Sequence, residues 1–512
     1  MPLSKTLIKN VLSNYTGVFT SALVGILLTP FIIHRIGNTS YGLWALFQSI
    51  FGYFGLLDLG FGISVVKYIS EFTAKGEQKS INKYGSTIFF TYLGIGALSI
   101  VLSLLLAPFV RFAFHIPDEY SRVAFYAVII GGLTTAVVFL MSFFINILSA
   151  RQRYDLTNLL GIIRTLIYGV SVVFLLMHGF GLLSLFMLTL VLSVITLIIG
   201  YYVAVIKLKF VSIKLSLFNF KTLKFAYKYS VVAFLNSILG QINSSIGYII
   251  ISAVLTVKFV AFFAIASKIN NVINQVMASI VSVTLPVFSS LWAVNDKEKI
   301  RFAYLEITKI VLIISLPVSM FVIIFSESIM NVWIGAGYHL AALSLIILTI
   351  VFLIHFTGGY ITNILLLGIG QHKALPVVNA FGVVANIIIG FALTKLIELK
   401  YGAGYGVLGI PIAFVLLAFA IDMIFWPRYV NRFLELKHSI YILNLVKPVL
   451  FIIPITIIAL LIKHYYTPAS IITLVFESAL IGLTYWSLYY LFGLTKDEKD
   501  RYTYYIKQFR RQ

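Results

Sequence analysis

The sequence contains no cysteine and few acidic residues. Its 512 residues include 17 Asp and Glu against 38 Lys and Arg, which gives a net charge of +21. The absence of cysteine excludes disulfides, thiol nucleophiles and Cys-based metal sites. Paired acidic, H-E-x-x-H, P-loop and G-x-S-x-G motifs are also absent. We therefore expect no cofactor, no bound metal and no enzymatic activity.

Long polar stretches are missing as well, since 60% of the residues are hydrophobic and the mean hydropathy is +1.02. A helix needs about 20 apolar residues to cross a bilayer. The sequence predicts an all-α integral membrane protein with 14 transmembrane helices. The predicted spans are 11–33, 42–66, 86–108, 122–148, 157–177, 182–205, 229–255, 259–291, 304–325, 341–366, 375–397, 405–426, 443–462 and 471–493.

The basic residues fall almost entirely on alternate loops between these spans. In a soluble chain this charge would suggest a nucleic-acid partner, but basic loops beside apolar runs follow the positive-inside rule instead. We therefore expect both termini in the cytoplasm and no nucleic-acid binding. The basic residues in the loops on the opposite side are only Arg35, Arg111, Arg122, Lys258, Lys395, Lys400 and Lys463.

A basic segment and a weak repeat suggest how the helices are grouped. Residues 206–228 alternate basic with apolar residues, which is typical of a segment lying on an anionic leaflet. Tyr41–Ile50 resembles Val260–Ile269, as a duplication of six helices would predict. The predicted divisions are an N-terminal lobe 1–205, a cytoplasmic interfacial linker 206–228, a C-terminal lobe 229–430, helices 13 and 14 in 431–495, and a basic cytoplasmic tail 496–512.

Two basic residues lie inside apolar spans, where an ionised side chain is costly unless it faces protein or water. Arg164 is in helix 5, and a guanidinium pairs bidentately with phosphate. Snorkelling to the inner interface is the alternative interpretation. Lys268 is in helix 8. Both are candidates for a cationic cavity that binds an anionic substrate.

Further polar residues accompany Lys268 along helix 8, too many for a helix that faces lipid. Helix 7 adds two more candidates. Such residues line a hydrated cavity, or alternatively form a polar seam between packed helices. The candidate lining residues are Gln241, Asn243, Asn270, Asn271, Asn274 and Gln275.

Three acidic residues within the spans are candidates for ion coupling or for a broken helix. Asp58 lies among four glycines of helix 2, at positions 52, 55, 60 and 62, where it could cap a helix break. Asp422 lies near the inner end of helix 12, where a local ion pair is the commonest explanation. Glu477 lies in helix 14 and could titrate with protons. His355 could also titrate, although a lone membrane histidine is more often structural.

The stretch Leu27–Glu71 carries the patterns R-x-G-x-x-x-Y-G-L-W and G-L-L-D-L-G-x-G, and Ala150–Arg164 reads ARQRYDLTNLLGIIR. In these segments the chain resembles Wzx-type polysaccharide (O-antigen repeat-unit) flippases of the multidrug/oligosaccharidyl-lipid/polysaccharide (MOP) exporter superfamily. The resemblance implies a bacterial inner-membrane protein with two MATE-like lobes of six helices around a cationic cavity.

The resemblance further implies that undecaprenyl-diphosphate-linked oligosaccharide is flipped outward by alternating access, for assembly of surface polysaccharides such as lipopolysaccharide. The implied partners are that lipid-linked oligosaccharide, membrane lipid, a polysaccharide polymerase and a chain-length regulator. A lipid II flippase and a drug or cation antiporter of the same superfamily remain alternatives. A membrane polymerase or glycosyltransferase is less favoured, because those enzymes usually carry a long outside loop that this sequence lacks.

Overall fold

A computed structural model describes the backbone of residues 3–371, 373–466 and 468–501. Side chains are described for these residues except 3–15, 229, 231–233 and 236. Every regular element in the described ranges is a helix, which confirms the predicted all-α class. Of the predicted basic tail, residues 502–512 lie outside the described residues.

The chain divides into two compact units, Met1–Ala264 and Ile265–Gln512. Short 3₁₀ turns at Leu56–Asp58, Asp118–Tyr120 and Leu215–Leu217 and a π-helical segment at Tyr202–Lys207 join helices of the first unit. Its helices are α1 Leu3–Gly55, α2 Phe61–Ala74, α3 Gln78–Leu106, α4 Val110–Ala113, α5 Ser121–Ala150, α6 Tyr154–Met177, α7 Leu182–Tyr201 and α8 Phe220–Val254. Helix α9, Val257–Ser282, contains the boundary between the units.

The second unit contains three further π-helical segments, at His355–Tyr360, Phe419–Phe425 and Tyr489–Gly493. Its remaining helices are α10 Leu285–Ala293, α11 Lys297–Trp333, α12 His339–Ile354, α13 Ile361–Gly368, α14 Ala374–Tyr401, α15 Ala403–Gly406, α16 Gly409–Ala418, α17 Trp426–Phe433, α18 His438–Tyr465 and α19 Ile471–Leu488. Helix α8 packs against α1 and α2 within the first unit. The predicted lobe boundaries at 205 and 229 stay a prediction.

The chain is a multi-pass membrane protein. Among the described residues, 13 helices are long and apolar enough to cross a membrane. The first candidate, Thr16–Asp58, is 43 residues long and contains a non-helical residue, Gly37, with φ 78° and ψ 167°. Since only glycine adopts such angles readily, Gly37 kinks the chain between the first two predicted spans. This kink accounts for the difference between 13 and the predicted 14.

The linker after α7 is held against helix α3 by side chains that satisfy its backbone. Asn82 Oδ1 accepts a hydrogen bond from the Ser212 amide at 2.9 Å, and Ser86 Oγ accepts one from Lys214 at 3.1 Å. Thr87 Oγ1 accepts from the Asn219 amide at 3.2 Å. An extended segment lacks internal hydrogen bonds, so these three side chains fix its path.

Each unit has its own apolar core, in which aromatic side chains predominate. In the first unit Tyr84, Tyr92, Phe143 and Phe144 are fully buried between α3 and α5. In the second unit the buried rings include Tyr304, Phe325, Trp426, Tyr441 and Tyr485, on α11, α17, α18 and α19. Such large side chains fill the irregular space between crossing helices.

Helix α11 contains Pro317, which has no amide hydrogen and so leaves the Ile313 carbonyl without its usual helical donor. The Trp486 indole of α19 donates a hydrogen bond to that carbonyl at 3.1 Å. A second bond joins the two C-terminal helices, because the Tyr485 hydroxyl donates to the Pro448 carbonyl of α18 at 3.2 Å. Aromatic donors on α19 therefore serve two proline-containing helices.

Candidate functional site

Arg164 lies on α6 and is partly buried within the first unit. Its Nη2 donates a hydrogen bond to Ser193 Oγ on α7 at 3.1 Å, and that hydroxyl donates to the Thr189 carbonyl at 2.8 Å. Within the described part of the chain Arg164 has no carboxylate partner. A guanidinium has five N–H donors, so most of them remain available to an anion.

Lys268 lies on α9, just inside the second unit, and is also partly buried. It forms no hydrogen bond or ion pair with any described residue. An ammonium within an apolar span is costly when its charge is not neutralised. Among the described residues, the charge of Lys268 is therefore not balanced by any carboxylate.

The polar residues that follow Lys268 differ in their surroundings. Asn274 Nδ2 donates to the Asn270 carbonyl at 2.7 Å, whereas the buried Asn270 side-chain oxygen has no partner among the described residues. Asn271 and Gln275 are exposed. Helix α9 thus presents amide groups able to bind hydroxyl-rich ligands along the turns next to Lys268.

The two candidates on α8 lie in the first unit and have different roles. Gln241 Nε2 donates to the Ser49 carbonyl of α1 at 3.4 Å and to Ser245 Oγ at 2.5 Å. A methyl group on Gly52 would come within 2.1 Å of that amide nitrogen. Gln241 therefore joins two helices, which favours the polar-seam interpretation for this residue. Asn243 is exposed.

Asp58 lies at a break between α1 and α2. The chain turns there through Leu59 and Gly60, both in the left-handed region with φ 51° and 77°. Asp58 accepts hydrogen bonds from the Tyr92 hydroxyl and from the Gly62 amide. The carboxylate thus satisfies an amide in the first turn of α2, as a capping group does.

Asp422 and His355 are 67 residues apart in the sequence but are hydrogen-bonded in the structure. Asp422 Oδ2 lies 2.8 Å from His355 Nδ1, and each residue belongs to a π-helical segment. A methyl group on Gly358 would lie 1.9 Å from the Asp422 carbonyl oxygen, and one on Gly359 2.0 Å from Asp422 Oδ1. The two glycines permit the contact. Residue spacing gave no sign of this pair, although both residues stood out as ionisable groups in apolar spans.

Glu477 lies on α19 with only 6% of its surface exposed. Neither carboxylate oxygen has a hydrogen-bond partner among the described residues, and its buried neighbours along the helix are Leu474 and Ile481. Of the acidic candidates it is the one whose carboxyl group is buried without a partner. In the described ranges, no three His, Asp or Glu side chains form a group able to hold a metal ion.

The sequence profile of the family described as "polysaccharide biosynthesis protein" matches residues 36–343, more than half of the chain. The chain belongs to the polysaccharide biosynthesis protein family. The matched residues include both motifs of the first two predicted spans from Ile36 onward, as well as Arg164 and Lys268.

Solved structures show which fold this polysaccharide biosynthesis family member has. The lipid II flippase MurJ, in an inward closed conformation, is 16% identical and aligns over 94% of this chain and 99% of its own, with a TM-score of 0.72. An inward-facing multidrug resistance MATE transporter of the MOP superfamily is 18% identical over 82% of this chain and 95% of its own, with a TM-score of 0.68. The fold is therefore that of MOP-superfamily proteins, and the solved proteins that it resembles are transporters and flippases.

A curated relative is similar over a shorter region. The uncharacterized membrane protein EpsK of Bacillus subtilis (strain 168) is 27% identical over 173 residues. The alignment covers 32% of this chain and 33% of EpsK. The match thus spans about a third of that relative's length.

Proposed function

We propose that this member of the polysaccharide biosynthesis family is a flippase for undecaprenyl-diphosphate-linked oligosaccharide repeat units. It would carry them from the cytoplasmic leaflet to the outer leaflet by alternating access. The observation that carries the proposal is a pair of basic side chains in apolar spans, Arg164 and Lys268, neither of which has a carboxylate partner among the described residues.

The chemistry of the substrate explains the need for such residues. A diphosphate cannot enter hydrocarbon alone, because removing its charge from water costs far more than one contact returns. A guanidinium offers paired donors to phosphate oxygens, and an ammonium offers a compact charge. Each of them would supply counter-charge to the diphosphate during the crossing, while the polyprenyl chain stays in lipid.

The amide groups on α9 support a sugar-bearing head group. Asn270 has an unpartnered side-chain oxygen, and Asn271 and Gln275 are exposed along the same helix as Lys268. Amide side chains both donate and accept hydrogen bonds, so they can replace water around sugar hydroxyls.

Two superfamily alternatives differ in substrate. A drug or cation antiporter requires a carboxylate that is available to a cation. In the first unit Asp58 is engaged by Tyr92, and in the second Asp422 is engaged by His355. Glu477 has no hydrogen-bond partner among the described residues, but its side chain is buried on α19. A lipid II flippase carries the same undecaprenyl diphosphate, so the basic residues suit it equally well. The two flippase functions are separated by the intermediate that accumulates when the protein is missing.

The test is complementation of a bacterial strain that lacks its repeat-unit flippase, with analysis of lipid-linked intermediates and surface polysaccharide. We expect the native chain to restore export. Arg164→Ala and Lys268→Ala should each reduce export roughly tenfold or more, because each removes a hydrogen bond to a charged group. Arg122→Ala and Lys258→Ala, at exposed positions of α5 and α9, serve as matched controls and should export normally.

Protein level in the membrane is measured for every variant. Normal export by both cavity variants at normal protein level would remove Arg164 and Lys268 from the mechanism. Accumulation of lipid II, rather than of a lipid-linked repeat unit, in the native host lacking this protein would assign it to the lipid II pathway instead.

A further inference from the structure

The hydrogen-bonded pair His355 and Asp422 has no part in the proposed binding of substrate. It lies in the second unit, in two helical segments of irregular geometry. Two π-helical segments, His355–Tyr360 and Phe419–Phe425, pack against one another at this point. π-helical turns are rare and occur frequently at functional sites. The Tyr441 hydroxyl donates to the Thr357 carbonyl at 2.9 Å, which ties the first of these segments to α18.

The imidazole has one nitrogen engaged and one free. Nδ1 lies 2.8 Å from Asp422 Oδ2, so the hydrogen-bond network assigns the Nδ1 proton to this contact. Nε2 has no hydrogen-bond partner among the described residues. The Asp422 side chain is 13% exposed and that of His355 36%, so the histidine is the more exposed member of the pair.

Among the described residues, His355 is the basic side chain that forms an ion pair with Asp422. Lys309 on α11 is neutralised by Glu306 and Glu498, while Arg428 and Arg432 on α17 are exposed. The remaining groups are phenols and the imidazole of His438 on α18, whose ring stacks on that of Tyr441. The titratable or charged side chains near the pair on the helices packed around it are Tyr304, Glu306, Lys309, Tyr360, Arg428, Tyr429, Arg432, His438 and Tyr441.

The charge of the pair therefore depends on one proton. With imidazolium and carboxylate the pair is neutral overall. When the Nε2–H bond breaks, the proton passes to water, the electron pair stays on Nε2, and the pair carries one negative charge. A buried carboxylate that loses its counter-charge is strongly disfavoured in a low-dielectric environment. Release of the proton thus requires water to enter or the two π-helical segments to separate.

We propose that His355 and Asp422 form a proton-binding site that couples transport to the proton gradient. The inference rests on the proposed flippase function for its transport step, but the site itself is defined by the second unit alone. Proton binding favours close packing of the two π-helical segments, and proton release favours their separation. A change in packing that both a proton and a substrate can bias is the requirement for coupling.

The test uses the full-length protein in liposomes, with fluorescently labelled undecaprenyl diphosphate as the probe. Its movement between leaflets is followed with and without an imposed proton gradient. The variants are His355→Gln, Asp422→Asn and the double variant, in which a glutamine and an asparagine retain a neutral hydrogen bond. The matched control is His339→Gln, since His339 and Glu327 form an exposed pair at 3.5 Å. Infrared difference spectra between two pH values report proton binding independently of transport.

We expect the gradient to change the rate of probe movement roughly fivefold or more in the native protein and in His339→Gln. The three pair variants should lose this response while the double variant remains folded and moves the probe. A gradient response equal to that of the native protein in all three would overturn the inference. If the native protein moves no probe under any condition, the flippase proposal fails. The infrared spectra then decide: an imidazole signal lost in His355→Gln supports the proton site, and unchanged spectra refute it.

Discussion

Gly42, within the Y-G-L-W motif, shows how a single missing side chain sets the distance between two helices. Its Cα faces the start of α9, and a methyl group there would lie 2.1 Å from the Val257 carbonyl oxygen. Backbone atoms cannot rotate away as a flexible side chain can. Small residues at such crossings let helices approach closely in membranes.

We predict that Gly42→Ala destabilises the first unit by roughly 1–3 kcal/mol, because the added methyl group forces α1 and α9 apart. Thermal unfolding of the purified protein measures the effect as a lower Tm. Gly55→Ala, on the same helix with open space around it, is the control. Equal Tm values for the two variants would show that the helices adjust at no cost.

Single residues also show what the sequence could and could not predict. Arg164 and Lys268 could be identified as candidate binding residues because a charge within an apolar run is conspicuous. Asp58 could be identified as a helix-break residue because it lies beside glycines. The contact between His355 and Asp422 depends on how the π-helical segment after α12 packs against the one after α16, which hydropathy does not encode. The sequence likewise predicts Gln241 as a cavity residue. Its contact with Ser49 could not be predicted, because the two residues are 192 positions apart in the sequence.

Among the elements, the segment after α19 is held by a buried ion cluster. Lys309 Nζ on α11 lies 2.5 Å from Glu498 Oε1 and 2.9 Å from Glu306 Oε1. Burial raises the pKa of Glu498, but hydrogen bonds from Lys309 and Thr495 lower the pKa by more, so that it lies below its ordinary value. The ionised carboxylate therefore stabilises the docked segment.

A lowered pKa fixes the direction of the pH effect. The stabilisation by Glu498 is fully present above the ordinary value of 4.5 and is lost as the pH falls through the lower pKa of the folded state. We predict that acidification below about pH 4.5 releases the segment after Leu494 from α11. Amide hydrogen exchange of residues 495–501 at a series of pH values measures the release.

Glu498→Gln should show fast exchange in residues 495–501 already at neutral pH, because the ion pair with Lys309 is absent. Asp500→Asn, at an exposed position of the same segment, should exchange like the native chain. Unchanged protection in Glu498→Gln would mean that apolar contacts alone hold the segment.

At the scale of the whole molecule, the alternation of basic loops makes a prediction about orientation. The positive-inside rule places Glu77 and Asn295 in the cytoplasm and Glu119 and Lys258 outside. Because the chain has no cysteine, each position can be replaced by a single cysteine without background. All four positions are exposed.

We expect a membrane-impermeant maleimide added to intact cells to label Glu119→Cys and Lys258→Cys but not Glu77→Cys or Asn295→Cys. Permeabilised cells should show labelling of all four. The reverse pattern would invert the topology, and a mixed pattern would mean that a span has been miscounted between the labelled loops.

The fold as a whole followed from hydropathy, because a bilayer imposes one length and one secondary structure on every crossing segment. Kinks and π-helical segments were harder to predict from the sequence. Gly37 interrupts a helical trace that hydropathy divides into two spans, whereas the linker after α7 is positioned by hydroxyl and amide side chains of α3. Such polar contacts are specific to the packed chain and leave little periodic signal in the sequence.

The bond between the Trp486 indole and the carbonyl beneath Pro317 has a consequence for the evolution and engineering of this chain. Shortening the protein to twelve helices, by ending it before residue 438, would remove the Trp486 indole that compensates for the proline of α11. A bare carbonyl would then face hydrocarbon, where no water can solvate it. The last pair of helices therefore cannot be removed without cost to α11. A shortened transporter made from this chain would first need Pro317 replaced by a residue with an amide hydrogen.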